Sequence, residues 1–527
     1  MRVLGIKPPH DGSMVLINDK ELVFSIEGEK DSNPRYSGFN SLPEAFRILE
    51  AMDGIPDVIA FGEYVNEIKG NETIYAGIDE SVKKIKERKI AGKNIKMFFS
   101  THERSHIFCS YGLSPFPQGE PYYALCWEGG FGRFYYISPD LQIHGYDTVL
   151  WDPGMLYIFP FFVANPIIQD LAKVWDFSNA GKMMALTGYA GRDEKTRIKW
   201  QSIVEELLNY QLVDGDWKND FELALEFYRQ YPFNQIGVES QDFKDFAYYF
   251  QEGLFDRFYQ FAKANLKDKY PLLISGGCGL NCDWNTKWKE SGLFEDIFVP
   301  PCTNDSGSGI GYALDALHHF TGNAKIKWSV YAGEEFLYDL QPGDEFITKS
   351  LNYDELSDLL AKGLVFAWVQ GKYEIGPRAL CNRSLIAAPF SNFMRQRLNQ
   401  IKQRENYRPI APVCIEESVS KFFGWHGQSP YMLHFMKVND PNLQAVTHAD
   451  NSARVQTVRK DQNPQIYDLL KRFEGKTGYP VLCNTSLNFK EKGFINRMSD
   501  LTNYVLEHDV DGMAVGDMIY IKKDKVI

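Results

Sequence analysis

Residues 1–26, "MRVLGIKPPHDGSMVLINDKELVFSI", decide the fold at the amino terminus. The pattern predicts β-strands at 2–6 and within 14–26, joined by the loop "KPPHDGS", with a hairpin turn at "NDK". A second unit of the same kind, "YYALCWEGGFGRFYYIS" at 122–138, places a glycine-rich turn between two predicted strands. Because both units carry polar residues at their turns, they predict a duplicated α/β architecture.

Helical and strand patterns follow one another along the rest of the chain. Residues 79–95 predict a polar helix and loop, and residues 196–265 carry apolar side chains at helical spacing. The order strand, glycine loop, helix occurs at 271–288 and again at 297–320. Periodicity is lost from 321 to about 348, which predicts a connection between domains, and α/β character returns from 353.

Composition limits the class of protein. A chain of 527 residues is too long for one core and predicts two or three domains. The net charge of −12 argues against nucleic acid as a main partner. Eight cysteines without a CxxC pair predict reduced thiols. The most apolar stretch, 150–168, holds three prolines and an aspartate, so we expect a cytoplasmic enzyme without a membrane span.

Positive charge concentrates at 371–408, where eight Lys or Arg residues accompany only two acidic ones. Glycine, proline and apolar residues separate the arginines, which favours a folded anion pocket over a solvated basic tail. The planar guanidinium fork suits phosphate or carboxylate, and Lys402 adds a point charge. The alternative, a charged surface helix over 393–404, explains "FMRQRLNQIKQR" but not "IGPRALCNRS".

The segment "HERSH" places His102 and His106 four residues apart, on one face of a helix, where they can share a metal ion. Asp305 in "TNDSGSG" is a candidate third ligand, although an ordinary pair of histidines remains the alternative. Glycine loops at 10–13, 275–277 and 305–309 together favour a nucleotide cleft. His10, beside the first loop, is either a proton acceptor or a hydrogen-bonded turn residue.

Motifs along nearly the whole chain, from residue 8 to about 518, resemble the O-carbamoyltransferase family that modifies nodulation factors and antibiotics. They occur in the order of that family. They are "HDGS", "HERSH", "GKMMALTGYAG" (181–191), "SGGCGLNC" (275–282), "NDSGSGIGYAL" (304–314), "GKYEIGPRALCNRSLIAAP" (371–389), "IKQRENYRPIAPV" (401–413), "HADNSARVQTV" (448–458) and "GYPVLCNTSLNF" (478–489).

The resemblance implies a division of labour between two domains. Residues 1–335 would form a duplicated actin-like ATPase fold, similar to the tRNA threonylcarbamoyl transferase domain. After a connection at 336–350, residues 351–527 would form a YrdC-like α/β domain. There carbamoyl phosphate and ATP would give carbamoyl adenylate, and a hydroxyl of a small-molecule acceptor, of the antibiotic-tailoring type, would attack it in the N-terminal domain.

The resemblance also implies site residues. The implied catalytic residues are His10, Arg378, Lys402 and Arg408. The residues implied to bind carbamoyl phosphate and ATP are Arg378, Asn382, Arg383, Ser384, Lys402, Arg408, Arg454, Asn484 and Ser486. The N-terminal nucleotide contacts implied are Gly276, Gly277 and Asn281. The implied metal ligands are His102, His106, Asp305 and, in place of the usual aspartate, Glu128. Iron(II) is the metal of this family, with Mg²⁺ or Mn²⁺ as alternatives.

Three other functions stay open from the sequence. A tRNA-modifying enzyme of the same fold conflicts with the acidic balance. A sugar or acetate kinase-like phosphotransferase has no use for the C-terminal arginines. A nucleotide-sensing scaffold needs the charged pocket to bind without turnover. The sequence leaves the acceptor, the metal and the choice between monomer and homodimer open.

Overall fold

The computed structural model describes residues 1–39, 48, 50, 52–62, 77–79, 84–167, 176–210 and 217–525. Six strands form the first sheet, in the order β3-β2-β1-β4-β6-β5. They are β1 (Arg2–Lys7), β2 (Ser13–Asn18), β3 (Glu21–Glu27), β4 (Val58–Phe61), β5 (Lys84–Ile90) and β6 (Lys93–Phe99). Strands β1 to β3 form an antiparallel meander, and β4 pairs parallel to β1. The predicted N-terminal hairpin is confirmed.

Five strands form the second sheet, in the order β11-β10-β7-β8-β9. They are β7 (Tyr122–Trp127), β8 (Phe131–Ile137), β9 (Ile143–Trp151), β10 (Leu272–Ser275) and β11 (Ile297–Phe298). Here too an antiparallel meander is extended from its first strand by parallel strands, with β10 paired to β7. The same plan in both sheets confirms the predicted duplication, which is the arrangement of an actin-like fold.

Eight helices belong to the described part of the N-terminal half. They are α1 (His102–Leu113), α2 (Pro153–Ala164), α3 (Ser178–Leu186), α4 (Glu194–Leu208), α5 (Trp217–Tyr228), α6 (Gln241–Asn265), α7 (Cys282–Glu290) and α8 (Ser308–Thr321). Helix α1 follows the first sheet, α8 follows the second, and the two pack together. A Cβ atom on Gly311 would lie 1.9 Å from the carbonyl oxygen of Ser105, so this close crossing requires glycine.

The predicted helices of 196–265 are confirmed over the described residues, whereas residues 211–216 lie outside them. Several of their aromatic side chains, such as Phe246 and Phe250, are fully buried in one core. The predicted polar helix at 79–95 is wrong, because 84–90 and 93–99 pair as strands β5 and β6. Residues 80–83 of that segment lie outside the described part. Charged residues at the edge of a sheet discourage pairing with other chains, and here they resemble a helical pattern.

The C-terminal half builds an eight-stranded mixed sheet, in the order β12-β21-β20-β13-β14-β19-β15-β18. Its strands, and the pair β16 and β17, are β12 (Phe346–Ser350), β13 (Phe366–Val369), β14 (Arg383–Ala387), β15 (Ala411–Ile415), β16 (Met436–Lys437), β17 (Ser452–Ala453), β18 (Gln456–Val458), β19 (Val481–Ser486), β20 (Gly512–Val515) and β21 (Met518–Lys522). The helices are α9 (Tyr353–Ala361), α10 (Asn392–Ile401), α11 (Val419–Phe422), α12 (Pro464–Thr477) and α13 (Met498–Glu507). The α/β class is confirmed.

The two halves contact each other through hydrogen bonds and ion pairs. Asn285 Nδ2 donates to the carbonyl oxygen of Leu433 at 3.0 Å. Arg497 Nε donates to Asp31 Oδ1 at 2.9 Å, so the loop after β3 reaches the C-terminal half. Among the described helices, none has the length and apolar character needed to cross a membrane.

Candidate functional site

Two histidines and two carboxylates meet in the N-terminal half, with one ligand atom from each lying within 4.8 Å of all the others. The residues are His102, His106, Glu128 and Asp305, and all four are buried. His106 Nε2 lies 3.1 Å from His102 Nε2, 3.2 Å from Glu128 Oε1 and 3.3 Å from Asp305 Oδ1. The structure therefore brings together the four residues that the resemblance implied as metal ligands.

Local structure explains how each ligand reaches this place. Helix α1 begins at His102 because the Thr101 hydroxyl accepts from Arg104 N and caps it. Its first turns then present His102 and His106 on one face. Glu128 follows β7, and the Gly277 N–H donates to its Oε1 at 2.7 Å. The fourth ligand, Asp305, comes directly before α8.

Two further side chains, those of Lys7 and His10, lie beside the carboxylate of Asp305. Lys7 Nζ lies 3.2 Å from Asp305 Oδ2, and His10 Nδ1 lies 3.5 Å from the same oxygen. Burial alone would raise the pKa of Asp305, but Lys7 and the ligand histidines hold it well below its usual range. Burial and the nearby charge of Asp305 raise the pKa of Glu128 to about 7, while His106 acts in the opposite direction. The structure thus places His10 beside the candidate metal site, with its side chain half exposed.

The four side chains fit a divalent metal ion. Ligand atoms about 2.0–2.2 Å from one ion lie about 3–3.5 Å from each other, and the three shortest distances to His106 Nε2 fall in this range. Two imidazole nitrogens with two carboxylate oxygens suit first-row transition metals such as iron or manganese.

The three expected nucleotide contacts of the N-terminal half lie beside the cluster and hold the local backbone. Gly276 has φ of +97°, and its N–H donates to the Thr303 carbonyl. A Cβ atom there would lie 2.4 Å from the Trp127 carbonyl oxygen. Asn281 caps α7 by accepting from Asp283 N. These residues therefore fix the backbone of the loop between β10 and α7.

A second cluster collects cations in the C-terminal half. Burial, with the nearby charges of Arg454 and Arg408, lowers the pKa of Arg378 to about 9. Burial also lowers the pKa of Lys402 well below its usual range, as do Arg404 and Arg408. Positive groups that depress each other's pKa values are crowded together with too few counter-charges. Four of the cations that the sequence concentrates at 371–408 thus cluster with Arg454; they are Arg378, Lys402, Arg404 and Arg408.

Three arginines of this cluster, Arg378, Arg408 and Arg454, keep donors that make no close hydrogen bond within the described part of the chain. The Nε atoms of Arg378 and Arg454 are buried and meet no hydrogen-bond acceptor among the described residues. Arg378 makes one long contact, from Nη2 to the Leu280 carbonyl at 3.5 Å. Arg408 faces Glu405 at 3.6 Å. These donors remain available to an anionic ligand.

Other expected binding residues are engaged within the protein. The guanidinium of Arg383 donates to the Gln370 and Gly371 carbonyls at 2.8 Å and to Asn496 Oδ1. Lys402 Nζ donates to the Ser486 carbonyl at 2.6 Å and to Asn488. Both side chains are buried, and their donors hold neighbouring loops.

The remaining polar residues of this set lie around the same loop. Asn382 Nδ2 donates to the Lys372 carbonyl at 2.7 Å, and the Ser384 hydroxyl accepts from Cys381 N at 3.1 Å. Asn484 Nδ2 donates to the Ala379 carbonyl at 3.1 Å. The buried Oδ1 of Asn484 meets no donor among the described residues.

Glu374, which the sequence patterns did not identify, organises the loop between β13 and β14. Its Oε1 accepts from the backbone N–H groups of Leu380, Asn382 and Arg383. The carboxylate is fully buried. In the sequence, Glu374 is the only acidic residue between Gly371 and Arg378, and this feature could have indicated its role.

Comparison with known proteins gives the family. The model "Carbamoyltransferase N-terminus" matches residues 43–314, and "Carbamoyltransferase C-terminus" matches residues 357–522. A 3'-hydroxymethylcephem-O-carbamoyltransferase of Amycolatopsis lactamdurans is 44% identical over 526 residues, 99% of each chain. The protein of the same description from Streptomyces clavuligerus is 43% identical over 527 residues, again 99% of each chain. Nodulation protein U of Rhizobium tropici is 31% identical, covering 94% of this chain and 92% of its own. The chain therefore belongs to the carbamoyltransferase family and is a transferase.

Proposed function

We propose that the protein is an ATP-dependent O-carbamoyltransferase that works in two steps at two sites. In the first, carbamoyl phosphate is hydrolysed to carbamate and phosphate, and carbamate displaces pyrophosphate from ATP to give carbamoyl adenylate. In the second, an acceptor hydroxyl attacks the carbamoyl carbon and AMP leaves. The first step belongs to residues 351–527 and the second to residues 1–335, with 336–350 as the connection.

The observation that carries the proposal is the buried cation cluster around Arg378. Carbamoyl phosphate and the ATP triphosphate bring several negative charges into one pocket, where they repel each other. Cations already held in place screen that repulsion without reorganising during the reaction. Cations that are held close together at one buried place repel each other. In an acidic protein such an arrangement has a use only when anions bind there.

The contacts suggest different tasks for the residues of the first site. Arg378, Arg408 and Arg454 bind phosphate groups, because their donors are not fully used within the described protein. Arg383 and Lys402 position the loops of the pocket, because backbone carbonyls accept their hydrogen bonds. The polar residues that shape the pocket wall are Asn382, Ser384, Asn484 and Ser486.

At the second site the four ligands named above hold a divalent ion, for which iron(II) is the family's choice. When bound, the ion supplies positive charge beside the phosphate of the adenylate. His10, half exposed beside Asp305, accepts the proton of the acceptor hydroxyl through its imidazole. Gly276, Gly277 and Asn281 hold the loop that borders the nucleotide.

The relatives guide the choice of acceptor. The two proteins that are 43–44% identical over nearly the full length are named for a 3'-hydroxymethyl group on a cephem ring. We therefore propose a hydroxymethyl group on a small molecule of the cephem class as acceptor. Transfer RNA is not favoured, because the net charge is −12.

Product analysis tests the proposal. The protein is incubated with carbamoyl phosphate, ATP, iron(II) and a 3'-hydroxymethylcephem, and the products are separated by mass spectrometry. We expect the acceptor to gain one carbamoyl group while ATP gives AMP and pyrophosphate. Formation of ADP with a phosphorylated acceptor would instead identify a kinase-like phosphotransferase and overturn the proposal.

A further inference from the structure

The N-terminal half holds both backbone polar groups of Gly376, a residue of the C-terminal loop that leads to Arg378. Gly376 N donates to Glu27 Oε1 at 2.5 Å, and Lys30 Nζ donates to the carbonyl oxygen of Gly376 at 2.8 Å. Gly376 lies two residues before Arg378. Glu27 ends strand β3, and Lys30 follows in the next turn. These three residues are called the Gly376 clasp below.

The clasp consists of buried charges. Glu27 and Lys30 are 3% and 1% exposed, and their charged atoms lie 3.1 Å apart. Lys30 also lies 3.2 Å from Glu29 and over the ring of Phe494. A well-packed apolar cluster is often at least as stable as a buried ion pair. Stability alone therefore does not explain why charged residues occupy this place. The geometry that they impose on Gly376 explains it.

The backbone at Gly376 has little conformational freedom. Its φ is +84°, a conformation that favours glycine. A Cβ atom would lie 2.2 Å from the carbonyl oxygen of Pro301. The residue is therefore enclosed by Glu27 and Lys30 on one side and by Pro301 on the other, and Pro377 stiffens the chain before Arg378.

We propose that Glu27 and Lys30 are positioning residues for the carbamoyl phosphate and ATP pocket, which they serve by fixing the Gly376 peptide and hence the place of Arg378. The N-terminal half thereby completes the adenylate-forming site of the C-terminal half. This inference rests on the proposed function. The inference extends the proposed function, because it makes the first step depend on two residues outside the domain that carries the arginines.

The substitution E27Q tests the inference, with D31N as matched control. Both change a carboxylate to an amide, at positions four residues apart, but Asp31 pairs with Arg497 and Glu27 with Gly376. The measurement is carbamoyl phosphate-dependent exchange of pyrophosphate into ATP by the full chain, without acceptor. We expect E27Q to raise the KM for carbamoyl phosphate about tenfold. D31N stays within about twofold of wild type.

A double-substitution cycle separates positioning from general loss of stability. In the R378K background the loop is still present but the guanidinium is gone, so E27Q adds less than about twofold to the KM. Equal effects of E27Q in the two backgrounds would overturn the inference. The pair K30M and K30R gives an independent test: we expect K30M to behave as E27Q, and K30R, which keeps charge and donors, to recover most of the wild-type KM.

The outcomes separate this inference from the proposed function. If wild type shows no carbamoyl phosphate-dependent exchange, both are overturned. If wild type exchanges and E27Q matches D31N, or K30M matches K30R, the clasp inference fails while the proposed function stands. Metal content is measured in every variant, and we expect it to be unchanged in E27Q and K30M.

Discussion

The Nε2 atoms of His102 and His106 lie 3.1 Å apart, and both side chains are almost closed to solvent. Two neutral imidazoles at this distance satisfy each other through only one proton, and two protonated ones would repel. Two buried carboxylates complete the surroundings, with Asp305 Oδ1 3.3 Å from His106. A divalent cation balances this set of donors better than any proton arrangement.

The first prediction concerns metal content. We expect wild type purified with iron(II) to hold about one ion per chain, measured by atomic emission. H106A removes a ligand atom and should lose most of the metal. H144A is the control, because His144 is exposed on β9. Full retention of metal in H106A would show that the ion binds elsewhere.

The second prediction concerns anion binding. R378A removes a buried guanidinium with an unused Nε, and we expect pyrophosphate to bind about 10- to 100-fold more weakly by calorimetry. R459A is the control, because Arg459 forms a surface pair with Asp461 at 2.9 Å. It should stay within about twofold of wild type. Equal affinity of R378A and wild type would remove Arg378 from the pocket.

The third prediction concerns pH. The pKa of Lys402 in the folded chain lies well below its usual 10.5. At pH values between the lowered pKa of the folded chain and 10.5, the unfolded chain binds more protons than the folded one. The amount by which Lys402 lowers the free energy of unfolding therefore diminishes as pH rises. We expect urea unfolding at pH 7, 8, 9 and 10 to show wild type gaining free energy of unfolding relative to K402M. A difference that is constant, or that changes in the opposite direction, would contradict the assignment.

The fourth prediction concerns the crossing of α1 and α8. G311A places a Cβ against the Ser105 carbonyl, and we expect it to lower the free energy of unfolding by about 1–3 kcal/mol. Because α1 carries two metal ligands, metal affinity should fall as well. G475A is the control: a Cβ there meets nothing within 4 Å, and it should raise stability by about 0.5–1 kcal/mol. Similar unfolding of both variants would show that the crossing can widen.

The fold was predictable where side-chain patterns are tied to one environment. The hairpin of β1 and β2 and the strand, loop, helix order around Asp305 follow from apolar runs next to glycine turns. Strand β5 was not predictable, because Lys84–Ile90 is an exposed edge strand whose mixed charges also suit a helix. Antiparallel pairing with β6 makes this segment a strand.

The site was predictable only in part. The spacing of His102 and His106 indicates a shared face, but the approach of Glu128 and Asp305 depends on pairing between distant strands. The arginine run marks the cation cluster. The sequence does not distinguish Arg378, whose Nε has no acceptor among the described residues, from Arg383, whose donors all hold the loop. Burial and hydrogen bonding in the folded chain make that distinction.

The most direct test of the two-site account compares R378A with H102A in pyrophosphate exchange and in carbamoyl transfer. We predict that H102A retains carbamoyl phosphate-dependent exchange without acceptor and loses transfer to the hydroxyl. R378A should lose exchange while keeping its metal. Failure of both variants at the same step would contradict the account.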